Sequence, residues 1–520
     1  MLTKTISRDG RQPTTKLILT HDVSPENMTM VQALIARSPV SVETRINEIH
    51  AAELVEAIGQ LRGTDVWVEL SESCVQVHLD EETCSELAAK VLAIGRGHDA
   101  CAKARRLGEQ YLVGYGHKSI GDTGSFTLVA EGVSMLAAKA IEQSPLFNGQ
   151  ELSTRAVDMT AQPVLDPEES PETRAIQDAW IEFYARARQP VAAEVRRRHP
   201  RQPGEGEKQY EDAVAYRTFD VTRAFLPAGS TTNVSMHTTI RHANDHLAFL
   251  MNHPLREVRQ VGRGWSELAR EAYPSSGSFG EEATVSGVGR DGRAAERAAW
   301  TQELWASYAY EPSSVFSPES PIDWSFWSSL NLGPQLFGPA ICWRDRTDLW
   351  DRRPRGVRLP HELARLGSLH WSFLLDFGSF RDLQRQRYAV LPMPLLTLAH
   401  GFEPWYLNEL PTDLALEASR FLAAQEQRIR ALIPDPVVRQ YYLAMGYRVG
   451  CYIALNLPAF VYVAELRSSK TVHPTLRRVI HRMAHDFKRA HPEVKLHVDW
   501  DEDDWTVRRG GQTITRADPK

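Results

Sequence analysis

The sequence predicts two tandem domains of the α+β class, and three observations carry that expectation. Short extended apolar segments run directly into helical ones. The order of segments in the first half returns in the second, as a duplicated chain would show. A stretch rich in glycine, serine and charge, "YPSSGSFGEEATVSGVGRDGRAA" (273–295), separates the two, and "EPSSVFSPESP" (311–321) repeats the signal. The expected division is a first domain over 1–275, a linker over 276–320 and a second domain over 321–510.

The elements follow in order. "TKLILTH" (15–21) reads as a short buried strand. "SPENMTMVQALIARS" reads as a helix, started by the Ser24 hydroxyl and Pro25 in the first turn. Residues 80–113 alternate apolar and charged groups at helical spacing. "SFTLVAEGVSMLAAKAIE" (125–142) begins as a strand and becomes helical. Helices are expected over 172–198, 205–226 and 234–252, with the loop "LPAGSTTN" before the last. In the second half "SLHWSFLLDFGSF" (368–380) is extended and runs into "RDLQRQR" (381–387). Helices are expected over 412–433, 436–446 and 449–466. Each half ends on a proline turn and a basic helix, "MNHPLREVRQVGRGW" and "TVHPTLRRVIHRMAH".

At 520 residues, 42% hydrophobic and 24% charged, the chain has the composition of a soluble globular protein able to bury a large core. Its net charge of -6 argues against a general nucleic-acid binder, while local arginine clusters leave room for a small anion. The five cysteines are odd in number, widely spaced and without a C-x-x-C, which predicts reduced thiols in a cytoplasmic protein. The amino-terminal segment has no apolar core of a secretory signal. No stretch approaches the roughly 20 apolar residues of a membrane span, so no membrane partner is expected.

Several motifs are candidates for chemistry. In "QELSTR" (150–155), Glu151, Ser153 and Arg155 bring a carboxylate, a hydroxyl and a planar guanidinium together. That set suits a nucleotide phosphate with its sugar and base edge; the plain alternative is an i,i+4 ion pair on an exposed helix. In "RDLQRQR", Arg381, Arg385 and Arg387 cluster at the end of an apolar segment, as a phosphate site or a solvated basic face. "GYGHKSIGDTGSF" (114–126) sets glycines around His117 and Ser119, where backbone can approach a ligand, or where an ordinary loop ends in a capping serine. "GVGRDG" (287–292) matches a dinucleotide pattern but follows no strand, so it is not read as one. His242 and His246, like His481 and His485, have helical metal-ligand spacing without a third ligand, so no metal is expected.

Taken together, "GHKSI", "SFTLVAEGVSMLAAKAIE" and "QELSTR" resemble the flavin-dependent thymidylate synthases, in which a G-H-x-S/T turn, a strand, an R-H-R-x(7)-S motif and E-x-S-x-R-Y occur in that order. "TTIRHANDHLAFLMNHPLREVR" (238–259) resembles the family's later N-x-R helix, with Arg241 at its arginine. The first half departs where R-H-R falls on Gln143-Ser144-Pro145 and where Ala156 replaces the tyrosine. The second half departs in the opposite sense. "RDLQRQR" resembles R-x-x-x-R-H-R with Gln386 in the histidine place, while E-x-S-x-R falls on Met393, Leu395 and Thr397, and Pro458 stands where "NLPAFVYVAELR" should carry its arginine.

The resemblance implies two tandem synthase-like domains, each a mixed or antiparallel sheet packed with helices. It implies a composite site with Glu151, Ser153, Arg155 and Arg241 on a dUMP-like nucleotide, and His117, Ser119, Arg385, Gln386 and Arg387 on FAD. The reaction implied is reductive methylation of dUMP at C5, with NADPH and methylenetetrahydrofolate as co-substrates. Two chains would associate as a homodimer forming a pseudo-tetramer. No catalytic side chain is assigned. The alternatives are methyl transfer to another uridine nucleotide, or a degenerate relative that binds a nucleotide or serves a structural role.

Overall fold

The computed structural model describes residues 2–6, 13–20, 65–70, 73–78, 124–273, 324–333, 342–386 and 388–501, with a few isolated positions between. The helices expected over 24–38 and 80–113 lie outside the described residues, as does nearly all of 276–320.

Two antiparallel sheets organise the chain. The first joins β1 (Leu2–Ile6), β2 (Thr15–Thr20), β5 (Ser125–Ser134), β6 (Asn148–Glu151) and β7 (Thr231–Thr239) in the order β1-β2-β5-β7-β6. β3 (Asp65–Leu70) and β4 (Ser73–His78) form a separate hairpin. The second sheet joins β8 (Ser325–Ser328), β9 (Ser368–Asp376), β10 (Ala389–Val390) and β11 (Arg448–Asn456) in the order β10-β11-β9-β8.

Helices cover the sheets: in the first half α1 (Met135–Glu142), α2 (Pro171–Arg198), α3 (Glu207–Thr222), α4 (Ile240–Met251) and α5 (Arg256–Ala272). The second half supplies α6 (Phe377–Gln384), α7 (Thr412–Leu432), α8 (Leu457–Arg467) and α9 (Pro474–Ala490). The fold is therefore α+β, with antiparallel sheets packed by helices.

Two segments read as continuous helices are divided in the structure. Residues 234–239 belong to β7 and the helix starts only at Ile240. Residues 449–456 belong to β11 and the helix starts at Leu457. In each the side chain before the helix is its cap: Thr239 accepts from the His242 amide and Asn456 from the Ala459 amide. The preceding residues are β-branched or alternate in burial and lie between two neighbouring strands, and that pairing overrides helical periodicity. The segment 436–446 likewise forms only a short helical turn at Pro436–Arg439, a 3-10 turn at Gln440–Tyr442 and a loop.

The halves are related residue by residue. Ser134 pairs with Thr231 at the end of β5, and Asp376 with Arg448 at the end of β9. Each then caps the following helix with its side chain, Ser134 for the Ala137 amide and Asp376 for the Ser379 amide. The loops before β7 and β11 meet across an approximate two-fold axis through reciprocal backbone bonds. The Ala228 amide donates to Leu443 O (2.8 Å) and the Met445 amide to Leu226 O (2.9 Å). The Gly229 amide donates to Tyr441 O (2.9 Å) and the Gly446 amide to Ala224 O (2.8 Å).

One apolar core spans both halves. α2 packs against α7, where Phe183 stacks on Phe421 at 4.6 Å, Trp180 Nε1 donates to Tyr442 O at 2.9 Å and Gln425 Nε2 donates to Ile176 O at 2.8 Å.

Candidate composite anion site

The end of edge strand β6 brings Glu151 beside Val234 of β7, and the chain then turns through residues 152–155. This turn faces the first helix after the second sheet, α6. Between them lies a cavity of about 200 Å3. Glu151, Ser153 and Arg155 line it from one side, Arg381, Asp382 and Arg385 from the other, with Arg223 from the turn after α3. Glu151 and Arg155 are buried, which excludes the exposed-helix alternative for this motif.

Most of these charges are paired. Arg381 Nη2 donates to Glu151 Oε1, joining the halves, and Lys139 Nζ lies 2.9 Å from Glu151 Oε2. Lys139 also bonds Glu142, one turn along α1. Burial works against an ionised Glu151, but Arg381, Lys139 and Arg385 outweigh it and hold the carboxyl down at about 2. Burial raises Glu142 instead.

Arg155 makes a two-pronged pair with Asp220, Nη2 donating to Oδ2 at 2.6 Å and Nε to Oδ1. Ser153 Oγ accepts from the Arg155 amide at 3.3 Å and so fixes the turn. Arg385 Nη2 donates to Asp382 Oδ1 at 3.2 Å, and Arg467 Nη2 to the Asp382 carbonyl at 2.8 Å. Burial would raise the Asp382 carboxyl, yet Arg223, Arg155, Arg385 and Arg467 hold it well below the usual carboxylate range.

Some donors are left over. The buried Nε groups of Arg223, Arg381 and Arg385 have no acceptor among the described residues. Gly378 matters here: a Cβ on it would come within 3.4 Å of Arg223 Nε and 3.2 Å of Asp376 Oδ2. A buried polar layer lies beneath. Asp376 accepts from Thr475 Oγ1 (2.5 Å) and from the Tyr406 hydroxyl (2.7 Å), and His473 Nε2 lies 3.2 Å from Asp220 O. Burial raises Asp376 and lowers His473, with Arg223 opposing the first shift and adding to the second.

The two-fold relation identifies a second, altered copy of this cavity. The register that matches Ser134 to Asp376 matches Lys139 to Arg381, Ala140 to Asp382 and Gln143 to Arg385. The paired edge strands match Glu151 to Met393, Ser153 to Leu395 and Arg155 to Thr397. Met393 and Leu396 are fully buried, and Gln440, matching Arg223, accepts from the Leu396 amide at 3.0 Å. The copy is filled by apolar packing, and Lys139 reaches instead to Glu142 and Glu151.

The structure thus gathers Glu151, Ser153, Arg155 and Arg385 around one cavity. It does not bring Arg241 there: that side chain is exposed on α4 and pairs with Asp122 at 2.8 Å. Gln386 does not line the cavity. With its oxygen turned toward Arg467 it accepts from Nη2 at 2.6 Å and Nε at 3.1 Å. His117, Ser119 and Arg387 lie outside the described residues. Sequence reasoning missed Arg223, Asp220 and Lys139, which sit inside ordinary helical patterns with no local motif to mark them. No cluster of three or more potential metal ligands occurs among the described residues. His246 bonds Ile141 O and His481 bonds Asp499 O, so both serve the packing. No helix among the described residues is long and apolar enough to cross a membrane.

Residues 74–275 match the profile of the family described as thymidylate synthase complementing protein. A UPF0159 protein of Chlamydia pneumoniae is 24% identical over 440 residues, covering 76% of this chain and 80% of its own length. One of Chlamydia muridarum is 24% identical over 453 residues, covering 77% and 82%. One of Thermoplasma acidophilum is 24% identical over 315 residues, covering 55% and 60%.

Proposed function

From the match of residues 74–275 to the family described as thymidylate synthase complementing protein, we propose that this chain is a thymidylate synthase-like protein that binds a uridine nucleotide of the dUMP type in the composite cavity. The activity this reading implies is methylation at C5, in which methylenetetrahydrofolate would give the one-carbon unit, NADPH the reducing equivalents, and the C5 hydrogen would leave as a proton. The observation that carries the reading is the set of spare guanidinium donors on Arg223, Arg381 and Arg385 around one cavity that also presents Ser153 and Glu151. A phosphate accepts several such donors at once and returns the charge they lack. Its binding in a buried site is strengthened by the low local dielectric.

The roles proposed are supported by the positions of these side chains. Arg223, Arg381 and Arg385 take the phosphate. Ser153 and Glu151 border the remainder of the nucleotide. Glu151, held ionised, acts as an acceptor and not as an acid near neutral pH. Arg155 is turned to Asp220 and serves to fix the loop. A rigid arrangement of this kind contributes by orientation and by stabilising charge on the pyrimidine.

FAD is implied by the resemblance, with NADPH and methylenetetrahydrofolate as co-substrates. The cavity does not fit it beside a nucleotide. About 200 Å3 suits the phosphate and sugar of a nucleoside monophosphate, and Gln386, in the place of the motif's histidine, is engaged by Arg467. No step is derived through flavin. The homodimer expected from the resemblance is part of the same proposal, and sedimentation of the purified protein tests it.

One observation favours a second reading. Arg381 and Glu151 tie the halves together, and Arg155 is already paired, as in a degenerate relative whose charges serve assembly. Titration calorimetry separates the two. The expected result is saturable dUMP binding, weakened at least about tenfold in Arg385→Ala, in line with loss of one charge-assisted contact. Tritium release from C5-labelled dUMP or UMP, with added FAD, NADPH and methylenetetrahydrofolate, then reports turnover. A protein that binds neither nucleotide supports the structural reading.

A further inference from the structure

The cavity contains a carboxylate that an anion site does not obviously need. Asp382 lines it, with its side chain 16% exposed, among Arg223, Arg385 and Arg467. Its two oxygens differ. Oδ1 accepts from Arg385 Nη2 at 3.2 Å. Oδ2 is itself buried, lies 3.6 Å from Arg223 Nη1, beyond hydrogen-bond distance, and accepts no hydrogen bond among the described residues. The surrounding cations keep the group ionised, so it is an acceptor only. The fold does not require a carboxylate at this turn of the helix, because the matching position in the first half is Ala140. A site for a bare phosphate would gain from losing it, since a like charge beside a dianion costs affinity.

We infer that Asp382 is a specificity-determining residue that accepts a hydrogen bond from an N–H or O–H donor carried by the nucleotide, and so makes the site choose a nucleoside monophosphate over a bare phosphate. The inference rests on the nucleotide reading above and deepens it. The three arginines, each with a buried Nε that lacks an acceptor, and Asp382, with a buried Oδ2 that lacks a donor, line one small cavity, so a ligand suited to both carries phosphate oxygens and a donor a short distance apart. A deoxyribose 3′-hydroxyl and the uracil imide N–H both have that chemistry. A ligand without the donor leaves a buried acceptor unpaired, which is where strong discrimination arises.

Calorimetric titration of the full chain with four probes tests this: dUMP, inorganic phosphate, 2′,3′-dideoxy-UMP and N3-methyl-dUMP. The wild type is expected to bind dUMP at least about tenfold more tightly than phosphate, and to lose about tenfold for whichever analogue lacks the donor that is read. In Asp382→Ala phosphate should bind more tightly, dUMP more weakly, and the analogue difference should vanish. Asp382→Asn, which keeps an acceptor and the shape, should retain the analogue difference. The analogue arm needs no variant, so it decides even if the alanine protein fails to fold. If both analogues bind the wild type as dUMP does, or if Asp382→Ala tightens dUMP and phosphate alike, Asp382 is a charge neutraliser and the inference fails while nucleotide binding stands. If the wild type binds neither dUMP nor phosphate, the nucleotide reading itself is lost and this inference with it.

Discussion

Glu151 meets two cations that occupy the same position in the two halves, Arg381 on one carboxylate oxygen and Lys139 on the other. One acidic residue thereby takes up charge from both copies, and its carboxyl is held at about 2 against the ordinary 4.5. The stability it lends is fully present above pH 4.5 and is lost as pH falls through that value toward 2. Histidines act earlier. Burial lowers His246 to about 4 and His253 to about 3, the latter helped by Arg259, from an ordinary 6.5. Below pH 6.5 the unfolded chain takes up protons that the folded chain refuses, so stability declines from there down to the folded values. Each histidine contributes a slope of about 1.4 kcal/mol per pH unit in that window. Urea midpoints should therefore fall between pH 7.5 and pH 5, above the range in which Glu151 titrates, and His246→Gln should flatten the decline. A midpoint unchanged over that range contradicts the assignment of these histidines as buried and neutral.

At the scale of elements, the short strand β6 decides where the site lies, and it does so through a close backbone approach. A Cβ on Gly149 would lie 1.7 Å from Ser235 O across the β6–β7 pair. Gly149→Ala must push the strand off its neighbour and carry Glu151 with it. The expected cost is about 1–3 kcal/mol of stability, together with loss of dUMP binding, read by thermal melting and calorimetry on the same sample. A variant that melts lower yet binds dUMP as before separates the strand from the site.

The same elements show what the sequence could and could not tell. "QELSTR" and "RDLQRQR" were legible because guanidinium and carboxylate groups cluster there, the first after a segment that reads as extended and then helical, the second after one that reads as extended. β7 and β11 were not, because "VSMHTT" and "GCYIALN" sit against helical segments, and only their partners across the sheet decide for strand. Arg223 and Asp220 were invisible for a related reason. Both fall within a stretch that reads as a single helix, and their roles arise from chain distant in sequence: Arg223 turns to Ser379 and Asp382 of the other half, and the Asp220 carboxylate to Arg155, 65 positions earlier.

At the scale of the whole molecule, the two copies have diverged in opposite senses around a shared axis, one cavity keeping charges and the other filled by Met393 and Leu396. The axis itself is backbone: four reciprocal hydrogen bonds join residues 224–229 to 441–446, and neither loop can satisfy these groups alone. Beside it Arg381 and Glu151 form a buried ion pair between the halves, and removing one partner of such a pair costs about 3–5 kcal/mol because the other charge is stranded. Arg381→Ala should therefore lower the stability of the entire chain rather than of its second half. The continuous core predicts the same unity. Calorimetry should give one unfolding transition whose van't Hoff and measured enthalpies agree. Residues 1–275 expressed without the rest should lack a cooperative melt, since Leu226 and Ala228 lose their cover, and co-expression with residues 321–520 should restore it. Two separable transitions in the intact chain, or a first half that melts cooperatively by itself, would show that the halves are joined domains with a contact between them, and the composite cavity would then lack the rigid frame that its nucleotide reading requires.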